Sequence, residues 1–119
     1  MSSLVRFRSF ALVAALLLTS VSAQQKVVPV TEKELRAAAT QKVEPDYPAV
    51  ARQIRLTGDV ELEVVVDESG GVEKASIISG NQLLTGPSLQ AIRKWKFKPF
   101  GTDSSPARAT GPIKFSFQM

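Results

Sequence analysis

Residues Tyr47 to Pro99 read YPAVARQIRLTGDVELEVVVDESGGVEKASIISGNQLLTGPSLQAIRKWKFKP, and this stretch decides the fold. Asp46 is placed to cap a first helix, with Pro48 inside its first turn. That helix, from Pro48 to Arg55, sets Val50, Ala51 and Ile54 against Arg52, Gln53 and Arg55. Thr57-Gly58 ends it. From Asp59 to Asp67 apolar residues alternate: Val60, Leu62, Val64 and Val66 share one face, and Asp59, Glu61, Glu63 and Asp67 share the other with Val65. This pattern predicts a half-buried strand with one wet face.

Glu68-Ser69-Gly70-Gly71 turns the chain into a return strand, Val72 to Ser79. Ala75 and Ile77 alternate, but Val72 lies three residues before Ala75, so a bulge near Glu73-Lys74 is expected to restore the parity. After Gly80-Asn81, Thr85 is positioned to cap a second helix with Pro87 in its first turn. Ser88, Leu89, Ile92 and Trp95 then recur at helical spacing. Beyond a polar loop, Gly101 to Gly111, the segment Pro112 to Met119 alternates as a last strand with Ile113, Phe115 and Phe117 inward. Its backbone is then an edge, and Lys114, Ser116 and Gln118 point to the opposite face.

Upstream, Thr31-Glu32-Lys33-Glu34 matches a capping box, with Val30 and Leu35 at the staple positions. A short helix through Leu35 to Ala39 is expected, docking on the domain or fraying from it. Further upstream, Arg6 and Arg8 precede a 12-residue apolar run, Phe10 to Val21, and small residues at Val21-Ser22-Ala23. Residues 1–23 therefore read as a signal peptide and place the protein outside the cytoplasm. The competing reading is an uncleaved inner-membrane anchor, but a run of 12 residues falls short of the roughly 20 that span a bilayer. Residues 24–42 form a linker with the capped helix, and 43–119 the folded domain.

Removing 23 of the 119 residues leaves 96, enough for one modest core. The formal charge of +4 falls to +2 because Arg6 and Arg8 leave with the leader. The near-balanced remainder argues against nucleic acid, and Trp95 amid Arg93, Lys94, Lys96 and Lys98 reads as core beside a solvated face. The chain has neither Cys nor His. It therefore offers no disulfide framework, no thiolate metal site and no triad, so no cofactor and no enzyme is expected. Asp59, Glu61 and Glu63 stand about 6.5 Å apart along a strand, too far for one cation cage.

In order and spacing, Tyr47-Pro48, Ala51-Arg52, Gly58-Asp59-Val60, Gly70-Gly71-Val72, Ser79-Gly80 and Ala91 to Pro99 resemble the C-terminal domain of TonB-family proteins. The likeness covers Val43 to Met119. Thr85 stands where that family often has Asp, Ser88 where it often has Ala, and Gly80 follows one Ser where two are common. The resemblance implies an α+β domain: a three-stranded antiparallel sheet, two helices on one face and the last strand at an edge. It further implies that this edge takes a short peptide from outer-membrane transporters by strand addition. The partner-binding residues it implies are Ile113, Lys114, Phe115, Ser116, Phe117 and Gln118, with Val43, Glu44 and Tyr47 as a nearby lip.

Family transducers also carry a permanent anchor and a long Pro-rich spacer, whereas only 23 residues separate Ala23 from Tyr47 here, at most about 80 Å of extended chain. The expectation is therefore a periplasmic adaptor for envelope or transporter proteins. The alternatives are a membrane-anchored transport component and a homodimeric or cell-wall-associated domain.

Overall fold

The computed structural model describes residues 26–119, so the leader lies outside the described residues. In chain order the elements are β1 (Val27–Pro29), α1 (Glu32–Ala38), β2 (Ala39–Gln41), α2 (Ala49–Gln53), β3 (Gly58–Val66), β4 (Val72–Ser79), α3 (Gln82–Arg93), β5 (Lys96–Phe97) and β6 (Arg108–Phe117). Four strands form one sheet in the order β1-β6-β3-β4, and β2 pairs with β5 in a small ribbon. The α+β class holds, but the sheet is four-stranded and mixed rather than three-stranded and antiparallel. The added strand is β1, which runs parallel to β6 with Val27 opposite Arg108 and Pro29 opposite Thr110. Two helices, α2 and α3, accompany the sheet as expected of the domain, together with the expected capped helix α1. Sequence alternation missed β1 because three residues are too few to show a period.

The central alternation is as expected. Val60, Leu62, Val64 and Val66 are fully buried, and β3 pairs with β6 from Gly58–Phe117 to Val66–Ala109 without a break. One of the two register shifts between β3 and β4 falls where parity demanded: Val65 pairs with Lys74 and Val66 with Val72, leaving Glu73 extra. On β6, Ala109, Ile113, Phe115 and Phe117 face the same core. Leu35 of α1, Ala51 of α2, and Leu84 and Ile92 of α3 close over it from one side. The opposite face carries polar cross-strand contacts, Thr110 Oγ1 donating to Glu63 (2.9 Å) and Arg108 paired with Glu73 (3.1 Å).

Helix boundaries moved. The Thr31–Glu34 capping box forms as read, and α1 is docked through Leu35, which has no exposed surface. In α2 the N-cap is Pro48 and no side chain caps it. With five residues, little more than one turn, only Ala51 reaches the core. Val50 and Ile54, expected inward, are 56% and 62% exposed. α3 starts three residues before Thr85, with the Asn81 side chain accepting from the Leu83 amide at 2.9 Å. Pro87 consequently sits inside it. The helix ends at Arg93, so Trp95 lies past the C-cap, yet its ring is buried (1% exposed) and its indole N–H donates to the Val43 carbonyl at 2.9 Å.

The β3–β4 turn is built around Asp67. Its Oδ1 accepts from the Ser69 hydroxyl (2.7 Å), the Ser69 amide (2.9 Å) and the Gly71 amide (2.9 Å). The Ser69 hydroxyl, opposed by partial burial and joined by the Gly71, Ser69 and Gly70 amides, holds the Asp67 carboxyl below the usual carboxylate range. A carboxylate with a lower pKa folded than unfolded stabilises the fold fully above about pH 4 and loses that contribution as pH falls through the folded value. Thermal melts of wild type and Asp67→Asn between pH 6 and pH 2 are therefore expected to show wild type more stable at the upper end. The gap should narrow below about pH 4; a constant gap would show that the carboxylate's charge does not hold the turn.

Candidate partner-binding edge

A strand's backbone polar groups alternate sides, so every second residue of β6 offers its N–H and C=O away from β3. The first of these are already taken by the chain's own N-terminal segment. Arg108 N–H donates to the Lys26 carbonyl (3.1 Å), and Thr110 C=O accepts from the Val30 amide (2.9 Å). Gly111 allows the close crossing that follows, since a Cβ there would lie 2.4 Å from the Val30 carbonyl oxygen. Pro112 has no N–H to satisfy.

Lys114 is next in the outward series, and side chains of α1 reach it. Its N–H donates to Glu32 Oε2 at 3.1 Å and its C=O accepts from Arg36 Nη2 at 2.6 Å. Arg36 Nε also donates to the same Glu32 oxygen at 2.8 Å. Ser116 follows in phase, exposed and with no hydrogen bond to its backbone beyond the sheet among the described residues. The expected edge from Ile113 to Gln118 is thus open only in its final part.

Beside that open end lies a pocket of about 280 Å³ lined by Tyr47, Arg52, Gln118 and Met119. Tyr47 is fixed on two sides: its ring meets Phe117 edge-on at 5.5 Å, and its hydroxyl donates to the Leu56 carbonyl. The Arg52 guanidinium stands over the same ring, 5.5 Å from its centre. The site therefore combines an unpaired strand end, an aromatic wall and a cation, a combination suited to an extended chain with an acidic group.

The sequence-derived residues divide accordingly. Ser116 and Gln118 lie at the open end with Tyr47. Lys114 is covered through its backbone while its side chain stays exposed. Ile113, Phe115 and Phe117 are core residues that shape the strand from behind. Val43 and Glu44 line a separate depression of about 50 Å³ with Asp46, Pro87, Gln90, Ala91 and Lys94. Sequence reasoning missed Glu32, Arg36, Arg52 and Met119 as site residues. The four-residue spacing of Glu32 and Arg36 signals a helix-surface pair, but nothing in it points to a backbone 82 and 78 residues away.

Fold and edge together define a small α+β module whose last strand is left unpaired at its end. Residues 43–119 match the family described as Gram-negative bacterial TonB protein C-terminal. The chain belongs to that family. Among curated proteins it is similar to protein TonB of Vibrio cholerae, 34% identical over 86 residues, covering 69% of this chain and 35% of that protein. It is also similar to protein TonB of Escherichia coli, 28% identical over 87 residues, covering 71% and 36%. Protein TonB of Haemophilus ducreyi matches at 34% over 86 residues, covering 71% and 30%. The matches thus span about a third of these relatives' length. The solution NMR structure of the Pseudomonas aeruginosa TonB C-terminal domain shares the fold, with a TM-score of 0.59 at 18% identity over 68% of this chain and 84% of that one. Among the described residues no helix is long and apolar enough to cross a membrane.

Proposed function

We propose that this protein is a binding module of the TonB C-terminal type that works at the periplasmic side of the cell envelope, without catalysis. In this reading it takes an extended segment of an outer-membrane transporter as an added strand on the end of β6. The observation that carries it is the unpaired backbone of Ser116 beside the Tyr47–Arg52 pocket. Family membership supports a role in energising transport. The leader supports export, and mass spectrometry of the mature N-terminus tests it: a start at Gln24 is expected, whereas an intact residue 1 in the membrane fraction favours an anchored component.

Strand addition here is weak by nature. Each ladder hydrogen bond is worth about 0.5–1.5 kcal/mol net, while ordering the peptide costs roughly 1–2 kcal/mol per residue. The pocket must supply the remainder. A capped heptapeptide, Glu-Thr-Val-Val-Thr-Val-Glu, added to the 15N-labelled protein is expected to shift the Ser116 and Gln118 amides. Gln118→Pro, past the last paired residue of β6, should fold normally and bind at least fivefold more weakly. Equal binding by a folded Gln118→Pro would remove the strand end as the site.

A further inference from the structure

We infer that the Glu32–Arg36 pair is an intramolecular gate on the last-strand edge: it occupies the Lys114 backbone as a neighbouring strand would, and a partner strand must displace it to gain full register. This rests on the strand-addition reading above. A strand residue facing an edge offers one acceptor and one donor. Glu32 Oε2 supplies the acceptor for Lys114 N–H (3.1 Å), and Arg36 Nη2 the donor for Lys114 C=O (2.6 Å). The two side chains are locked to each other at 2.8 Å, closing a ring around one backbone residue. With β1 on Arg108 to Thr110 and Pro112 lacking an N–H, the chain's own residues 26–36 leave no outward N–H unpaired from Arg108 to Lys114.

Two further features suit a gate rather than a permanent seal. The Arg36 and Glu32 side chains are 39% and 33% exposed, so water and salt weaken the pair. Leu35, between them, is fully buried and keeps α1 docked when the pair opens. The gate can therefore open by side-chain rotation while the fold stays intact. Opening extends the outward series from Ser116 back to Lys114, enough for a strand of about five residues at alternate spacing. Lys114, with Arg52 at the other end, would then favour an acidic extended peptide.

Two measurements test this. Hydrogen exchange of the Lys114 amide, free of any ligand, is expected to be at least tenfold faster in Glu32→Ala than in wild type. Glu32→Ala and Glu32→Ala/Arg36→Ala should stay folded because Leu35 remains buried, the double variant melting somewhat lower since it also loses the Arg36 contact with Trp95. Titrated with the same heptapeptide, the double variant should bind about five- to tenfold more tightly, and the Lys114 amide should join Ser116 and Gln118 among those that shift. Unchanged Lys114 exchange in Glu32→Ala would show that no cap exists. Faster exchange with unchanged affinity, Ser116 and Gln118 still shifting, would overturn the gate and leave the binding site standing. If no β6 amide shifts in either protein, strand addition fails and the gate falls with it.

Discussion

Trp95→Ala is expected to lose on the order of 3–5 kcal/mol of stability, the range for removing a buried tryptophan, and a large share of the about 5–15 kcal/mol that holds a small domain together. Trp95 is the sole tryptophan of the chain and joins four segments of it. Its ring lies 5.8 Å from Phe115 of β6 and 6.0 Å from Phe97 of β5. Its N–H holds the Val43 carbonyl, and the Arg36 guanidinium of α1 stands 5.8 Å from its centre. Truncation leaves a cavity, an unpaired carbonyl and a loosened α1. Lys94→Ala, at the exposed neighbouring position, should cost less than about 0.5 kcal/mol. Urea denaturation of the two variants measures the difference; similar midpoints would contradict the core described here.

Gly70→Ala is expected to destabilise by about 2–4 kcal/mol, since strained backbone and steric overlap act together. Gly70 has φ of +97°, a region that side chains rarely tolerate. A Cβ there would also lie 1.9 Å from the Phe97 carbonyl oxygen. The contact is close because the turn lies on β5, with the Phe97 amide donating to the Gly70 carbonyl at 2.9 Å. Ser69→Ala, one residue earlier and exposed, removes the single hydroxyl hydrogen bond to Asp67 without a clash and should cost about 1 kcal/mol. Equal losses from the two would mean that the turn does not pack on β5.

The strongest readings from sequence came where a period ran long enough to be unambiguous. Nine residues of β3 alternate, and their inward set is the buried set. The β4 bulge was legible because a parity error between Val72 and Ala75 admits few remedies. The capping box at Thr31 is local chemistry over four residues and formed as written. Short or isolated signals misled. Val50 and Ile54 resembled a buried stripe, but a helix of five residues turns one position inward. Trp95 matched the helical spacing of Leu89 and Ile92, yet reaches the core from beyond the helix end, because the chain bends after Lys94 toward β5.

The candidate site divides in the same way. Sequence by itself determined that the C-terminal segment alternates, that Ile113, Phe115 and Phe117 face the core, and that every second backbone unit is left facing outward. These follow from a period of two and the burial of apolar surface. Only the tertiary structure decided which outward units remain open. Parallel pairing of β1 takes Arg108 and Thr110, the Glu32–Arg36 pair takes Lys114, and Tyr47 and Arg52 converge on the free end at Ser116 and Gln118. Glu32 and Lys114 are 82 residues apart in the chain, and no local pattern encodes their meeting. It exists because burial of Leu35 against the sheet brings α1 alongside β6, and a helix docked on a strand offers its polar side chains to whatever backbone that strand leaves unpaired.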